Sequence, residues 1–404
     1  MILSHKIRIY PNEEQEVFLK KSCGVARFVY NWGLAEWQKQ YKSGEKPTYL
    51  KLDKSFNSIK KDKFSFVCEV SKCCAQNAIA NLGKAYKNFF DRRAKYPKFK
   101  KKGVHDSFGL DNLNFHINGK RIKLAKMQPM KMAEELRYNG KIMSGTVSRV
   151  ADKWYISIAV ELQRDLTLPK TGKYVGVDLG VKDIAITSDG YKFANPLWIQ
   201  KSEKKLKKLQ RELARRKRAS KRRERTRLRL ARKHNQVANQ RRDWLHKITT
   251  FLVRNYDVIA LENLNVRGMT KNHSLAKAIT NVSFGEFNRQ IEYKAQMYGK
   301  QIYRVDRFFP SSKTCSVCGC IQDKMPLNVR EWTCPDCGAH HDRDINAAQN
   351  LLRQAMPEVT HGERPALVIS EISDVTKLDS LNRESYKIMK SRRLSQSELS
   401  PEYF

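Results

Sequence analysis

Four cysteines and three carboxylates carry the chemistry legible in this chain. Cys315 and Cys318 are two residues apart, fifteen residues follow, and Cys334 and Cys337 repeat the spacing. Two Cys-x2-Cys pairs at this separation suit a closed tetrahedral Zn²⁺ site of the ribbon type. Seven positions beyond Cys337 comes Asp344-Ile345-Asn346-Ala347-Ala348, the start of a helix. Upstream, Tyr174 to Asp178 and Val258 to Glu262 are short apolar runs that each end in an acid. Phosphodiester hydrolysis needs a nucleophilic water and a stabilised leaving oxygen, and two divalent ions about 4 Å apart supply both. Mg²⁺, or Mn²⁺ in its place, is held by a few carboxylates. Open α/β sheets put their ligands at the carboxyl ends of strands. Asp178, Glu262 and Asp344 are therefore the candidate metal-holding catalytic set.

Taken singly, each acid has a structural alternative. Asp178 has a turn cap into Gly180, Glu262 a place on a sheet rim, and Asp344 or Asp342 the N-cap of a helix. The set of three raises the functional reading above these. Cys23, Cys68, Cys73, Cys74 and Cys320 are left over, an odd number without regular spacing. That usage fits a reducing compartment with one metal site rather than a disulfide framework. Cys320 reads as a bystander to the four ligands, and His340 and His341 as surface or spare polar residues near the site.

The chain has 404 residues and a net charge of +38, from 79 Lys+Arg against 41 Asp+Glu. A charge of this size calls for a polyanion, and nucleic acid is the expected one. No apolar run approaches the length of a bilayer span, and the start MILSHKIRIYPN lacks the pattern of a signal peptide. The expected location is a cytoplasm or nucleoid, with no membrane partner.

The elements around the acids follow from periodicity. Lys6 to Tyr10 alternate as a strand, helical spacing follows through Trp37, and a second helix runs from about Ser71 to Phe90. Arg92 to Lys102 interleave Tyr96 and Phe99 with cations, which suits base stacking and a merely anchored basic loop equally. Short alternating runs between Phe108 and Leu162 predict a small barrel or sheet that pairs with the first strand. Lys170 to Lys173 mark a boundary, and Tyr174 to Phe193 read as a three-stranded meander. Lys201 to about Asn255 predict a helical hairpin bent near Ala219-Ser220. Its outward cations include Lys204, Lys208, Arg211, Arg215, Arg218, Arg222 and Arg225. Such one-sided helices repel themselves without a phosphate backbone to neutralise them. Strand, long helix, strand, helix, strand is an alternating α/β order with parallel pairing.

Gly-Val-Asp178-Leu-Gly, Leu-Glu262-Asn, the paired cysteines and Asp342-Arg-Asp344-x-Asn-Ala-Ala resemble the split RuvC nuclease of TnpB proteins, RNA-guided endonucleases of insertion sequences related to type V CRISPR effectors. Ile-Arg-Ile-Tyr-Pro-Asn at the start, Ala-Arg-Phe-Val-Tyr-Asn (26–31), Ala-Tyr-Lys-Asn-Phe-Phe (85–90), Pro-Lys-Phe-Lys-Lys-Lys (97–102) and Phe-Pro-Ser-Ser (309–312) extend the similarity over roughly residues 1 to 355. The resemblance implies an α+β and α/β multidomain protein. A β-barrel wedge domain (1–12 and 103–170) carries an inserted helical recognition domain (13–102). An RNase H-like RuvC nuclease domain (171–310 and 341–356) follows, with an inserted zinc ribbon (311–340) and a flexible tail (357–404). It implies a monomer with one guide RNA from the transposon end, recognition of a short motif beside a double-stranded DNA target, and metal-dependent cleavage. By the same resemblance, Tyr49, Lys72 and Gln76 fall at the motif contacts, where a solvated helix face is the alternative. The competing readings are a nuclease-inactive RNA-guided repressor of the same family, which the intact acid set argues against, and a zinc-ribbon nucleic-acid binder, which needs neither Asp178 nor Glu262.

Overall fold

The computed structural model describes residues 1–163, 165–326 and 328–359. The stretch read as a tail lies outside the described residues from residue 360 onward. Residues Met1–Leu352 form one compact unit.

Strand β1 (Ile2–Tyr10) stops at Pro11, and Asn12 starts helix α1 (Glu13–Lys42) through a capping box. Its Oδ1 accepts the Gln15 N–H at 2.8 Å, while its own N–H donates to Gln15 Oε1 at 2.9 Å. Helices α2 (Tyr49–Lys63) and α3 (Lys72–Phe90) complete a helical layer in which α1 and α3 bury Leu19, Val29, Leu34, Ile79 and Leu82. Periodicity misses α2 because only Leu52 and Phe56 of it are buried, one pair set among lysines.

The chain then forms β2 (Ser107–Asp111), β3 (Phe115–Asn118), β4 (Arg121–Leu124), β5 (Met130–Met132), β6 (Lys141–Val150) and β7 (Lys153–Glu161). With β1 they make an antiparallel sheet of seven strands in the order β2-β6-β7-β1-β5-β4-β3. β1 lies inside this sheet, paired with β7 along its length and with β5 at its end, so α1 to α3 are inserted between the first strand and the rest. The expected barrel needs one correction. β2 and β3 are the two edges, and no rung joins them among the described residues. Only Asn112–Asn114 separate them in the chain, so the sheet must curl until its edges nearly meet.

A second sheet contains β8 (Tyr174–Asp178), β9 (Asp183–Thr187), β10 (Lys192–Ala194), β11 (Val258–Glu262) and β12 (Gln301–Val305), in the order β10-β9-β8-β11-β12. The first three form the meander, and β11 runs parallel to both β8 and β12. α4 (Trp198–Arg215) and α5 (Lys221–Asn255) fill the first crossover. α6 (Val266–Met269), α7 (His273–Val282) and α8 (Phe284–Tyr298) fill the second. Ser220 caps α5 after a break at Ala219, whose φ of 63° ends the preceding turn. No helix among the described residues is long and apolar enough to cross a membrane.

The two faces of this sheet are built differently. Val175, Val177, Ile259 and Leu261 pack against Leu245, Ile248 and Leu252 of α5 and Phe287 and Ile291 of α8. The alternate residues, Gly176 and its rung partner Ala260, are small. Helix α9 (Arg343–Val359) lies against Gly176. A Cβ there would come within 1.8 Å of the Ala348 carbonyl oxygen and 2.8 Å of the Leu352 nitrogen. The Gly176→Ala variant is expected to push α9 off the strand and lose on the order of 3 kcal/mol or more, above the usual cost of overpacking. Chemical denaturation of the purified variant checks this, and wild-type stability would disprove it.

Lys294 is 5% exposed between α5 and α8. Its Nζ donates to Thr250 Oγ1 at 2.7 Å, Thr249 Oγ1 at 2.8 Å and the His246 carbonyl at 2.9 Å, with no carboxylate partner among the described residues. Burial, with Arg254 adding repulsion, lowers it from 10.5 to about 7. The folded chain therefore releases this proton near pH 7 and the unfolded chain near 10.5. The penalty of the charged form is fully present below pH 7 and fades as pH rises above it. Wild type should gain stability over Lys294→Met between pH 7 and 10, by up to about 1.4 kcal/mol per pH unit. Parallel denaturation curves across that range measure the difference.

Candidate metal centre and nucleic-acid surface

Val177 pairs with Leu261, so Asp178 and Glu262 follow side by side at the carboxyl ends of adjacent parallel strands. Ala348 sits against Gly176, and Asp344 lies one turn earlier on α9. Burial pushes the Asp178 carboxyl up to about 8, with Glu262 and then Asp344 adding repulsion and Arg343 opposing it. Burial also raises Glu262, against a hydrogen bond from Ser311 Oγ to its Oε1 at 2.9 Å. Arg330 Nη1 stands 3.3 Å from both Asp344 oxygens. Arg343 instead spends its guanidinium on the carbonyls of Pro326 at 3.0 Å and Val329 at 3.4 Å. Asp178 thus feels both other acids, and Arg330 stands beside Asp344 alone.

The sequence leaves Asp342 and Asp344 both open as caps, and the structure separates them. Asp342 Oδ1 accepts the N–H groups of Asp344 at 3.0 Å and Ile345 at 3.1 Å, which makes it the cap of α9. Its Oδ2 pairs with Lys192 Nζ at 2.5 Å. Burial works to raise its pKa, but Lys192 and the two N–H groups outweigh it and hold the carboxyl below its ordinary value.

The Sγ atoms of Cys315, Cys318, Cys334 and Cys337 all lie within 4.8 Å of one another. Cys315–Cys337 at 3.7 Å and Cys318–Cys334 at 3.6 Å approach the edge of about 3.8 Å that a tetrahedron of 2.3 Å zinc–sulfur bonds requires. The two knuckles are built alike. Gly319 (φ 83°) and Gly338 (φ 68°) follow each second cysteine, and their N–H groups return to Cys315 O and Cys334 O at 3.0 and 2.9 Å. The Cys315 N–H reaches Cys320 O at 2.8 Å, just as the Cys334 N–H reaches Ala339 O at 2.9 Å. Cys320 thus occupies the position of an alanine in the other knuckle, and its thiol lies outside the four-sulfur cluster.

Of the two places read for His341, the surface and a polar position near the site, the structure rules out the first. His341 is buried in β14 (His340–Asp342), paired across from Trp332 of β13 (Glu331–Thr333), with Nε2 3.1 Å from Cys315 Sγ. Strand alternation turns it inward while His340 and Asp342 face the other way. Asn346, Gln349 and Asn350 tie α9 to the first knuckle. Asn346 accepts the Ser316 N–H at 2.8 Å and donates to Thr314 O at 2.7 Å; Ser316 Oγ donates to Gln349 Oε1 at 2.7 Å; Asn350 donates to Ser311 O at 2.8 Å. Sequence reasoning assigned no contact to Ser311 or Arg330, and Ser311 had a signal only as part of the Phe-Pro-Ser-Ser motif.

On α4, Lys204, Lys208, Arg211 and Arg215 recur at four- and three-residue steps and are exposed; Arg218, Arg222 and Arg225 continue the charge around the bend. None of the seven is in an ion pair among the described residues. Their neighbours are: Lys207 binds Glu203, Arg216 and Arg229 share Glu212, and Arg232 forks onto Asp152 at 3.0 and 2.6 Å. Lys72 and Gln76 are exposed one turn apart on α3, and Gly83 on the same stripe lies against Tyr49 of α2. The three residues therefore share one surface. The loop after α3 is anchored by Lys100, whose Nζ sits 4.1 Å over the Tyr30 ring, while Phe99 is exposed.

Residues 157–273 match a family model described as "Probable transposase", of the OrfB/IS605 group, and residues 284–351 match one described as "Cas12f1-like, TNB domain". Residues 1–46 match a "Helix-turn-helix domain", although here they form one strand and one uninterrupted helix. The chain is 36% identical to a Streptomyces pristinaespiralis protein over 89% of its length and 90% of that protein, and 30% identical to InsQ of Escherichia coli K12 over 89% and 93%. Both bear the name "Putative RNA-guided DNA endonuclease". The fold is similar to that of Cas12f1, solved by cryo-EM in complex with sgRNA and target DNA, with a TM-score of 0.54 and 13% identity, covering 87% of this chain and 98% of that one. The chain belongs to the TnpB family of the OrfB/IS605 group.

Crowding of the three acids yields a stability test independent of activity. In the presence of chelator at pH 7, Asp178→Asn should melt at a higher temperature than wild type, because the wild-type carboxyl, raised from 3.8 to about 8, must take up a proton on folding and the amide need not. An unchanged or lower Tm would show that the carboxylates do not strain one another.

Proposed function

We propose that this protein is an RNA-guided DNA endonuclease of TnpB type whose cutting centre is a RuvC-type RNase H-like site. The observation that carries the reading is the convergence of Asp178, Glu262 and Asp344 at one end of a meander-plus-parallel sheet. Asp178 and Glu262 hold divalent metal from neighbouring strand ends, and Asp344 completes the set from α9. With Mg²⁺ or Mn²⁺ held by these three carboxylates, the site would have a nucleophilic water and a stabilised leaving oxygen. Ser311 fixes the orientation of the Glu262 carboxylate, and Asp342 fixes the start of α9, so that both outer acids arrive pre-positioned. The four cysteines hold a structural Zn²⁺, and His341 donates from Nε2 to the Cys315 thiolate.

The unpaired cations of α4 and α5 neutralise the backbone of a guide RNA from the transposon end, one RNA to one protein chain. Guide and target pair by base complementarity, so the protein needs to read only backbone and a short flanking motif of the double-stranded DNA. The exposed surface of Tyr49, Lys72 and Gln76 is the candidate reader, with Gln76 suited to an adenine edge and Lys72 to guanine or phosphate.

With the guide RNA supplied, Asp178→Ala, Glu262→Ala and Asp344→Ala should each lower cleavage at least 100-fold while target binding survives. Loss of cleavage in Asp342→Ala with cleavage retained in Asp344→Ala would overturn the choice between those two acids. Metal analysis should find one Zn²⁺ per chain in wild type and in Cys320→Ser, and none in Cys315→Ser; zinc missing from Cys320→Ser would make that thiol a ligand. Gln76→Ala should change the preferred flanking motif in a randomised library more than it changes RNA binding.

A further inference from the structure

We infer that Phe308 is a stacking platform for one unpaired DNA base at the mouth of the carboxylate site, a role that rests on the nuclease reading above. Strand β12 ends at Val305, which is in register with Glu262. The chain continues Asp306-Arg307-Phe308-Phe309-Pro310 and reaches Ser311, whose hydroxyl is bound to the same Glu262 at 2.9 Å. Phe308 therefore stands three residues from the Glu262 rung and three from the residue that orients the Glu262 carboxylate.

The turn that displays this ring is ordered. The Phe308 N–H donates to Asp306 Oδ1 at 2.8 Å, the Phe309 N–H to Asp306 O at 3.2 Å and the Ser311 N–H to Phe309 O at 2.8 Å. The Lys313 and Thr314 N–H groups close on Pro310 O at 3.0 and 3.1 Å. Within this fixed turn Phe308 is 85% exposed, the most exposed aromatic side chain among the described residues, and no ring or cation contacts it there. Its neighbour Arg307 is exposed as well.

A phenyl face kept in water beside an arginine has the composition of a single-strand nucleic-acid contact. Every base has a π-face to offer the ring, and the guanidinium takes a phosphate. A paired base is already stacked on both sides and has no face free for the ring, so the occupant is unpaired DNA. Guide pairing creates such a strand by displacing one strand of the target. Stacking at Phe308 would then seat the backbone of the adjoining nucleotide toward the three carboxylates.

The experiment uses the protein–guide RNA complex and a target duplex with 2-aminopurine at successive positions of the displaced strand. Ca²⁺ replaces Mg²⁺ so that DNA binds uncut. Wild type should quench the probe at one position, Phe308→Ala should lose that quenching, and Phe308→Trp should restore it. In Mg²⁺, the complex concentration giving half-maximal single-turnover cleavage should rise roughly ten-fold in Phe308→Ala, the scale of one lost base–aromatic stack, with a smaller change in the maximal rate. Identical quenching and concentration dependence in wild type and Phe308→Ala would overturn the assignment. So would a change in oligomeric state alone, read by light scattering, since it would give the ring to a second copy of the chain. A wild-type complex that quenches at one position through Phe308 yet never cuts would sink the carboxylate reading and leave this one standing.

Discussion

The tightest glycine contact among the described residues is that between the backbone of α9 and strand β8 at Gly176, where there is no room for a methyl group. It fixes the height of α9 on the sheet, and with it the place of Asp344 relative to Asp178. The same helix carries Asn346, Gln349 and Asn350, which grip the backbone and side chains of the first cysteine knuckle. From that knuckle the chain runs back to Ser311 and its bond to Glu262. Strand, helix, knuckle and acid form a closed loop of short contacts. The first cysteine knuckle is therefore tied to two of the carboxylates, to Asp344 through α9 and to Glu262 through Ser311.

This arrangement explains which parts of the site the sequence reveals. Asp178 and Glu262 stand out because a short buried strand is a continuous apolar run, and an acid at its end has no packing reason to be there. The cysteines stand out because tetrahedral coordination demands fixed spacing. Gly176 is visible only as one glycine among others, since nothing in a linear string says that Ala348 lies against it. His341 is hidden for a similar reason: one strand residue in two points inward, and a three-residue strand is too short to show the alternation. Helix α2 is missed because two buried residues do not make a period, and the curl of the seven-stranded sheet because it depends on how far apart β2 and β3 end up, not on their composition. From Asp342-Arg-Asp344 the sequence reading takes Asp344 for the carboxylate set but leaves both acids open as the helix cap. Hydrogen bonding separates them: Asp342 spends its oxygens on helix N–H groups and Lys192, and Asp344 faces Arg330.

The electrostatics of the free chain is unfavourable in two places of opposite sign. At the carboxyl end of the central strand β8, Asp178 is raised to about 8 by burial and by Glu262 and Asp344. Along α4 and the start of α5, these seven exposed cations are in no ion pair among the described residues, while Lys207 and Arg216 between them are. The local pairs on those helices use the available carboxylates, Glu203, Glu212 and Asp152, to fasten helix to helix and helix to the first sheet. Like charges held close together, whether the acids near Asp178 or the cations along α4 and α5, raise the free energy of the folded chain, and an ion of the opposite sign near either group would lower it.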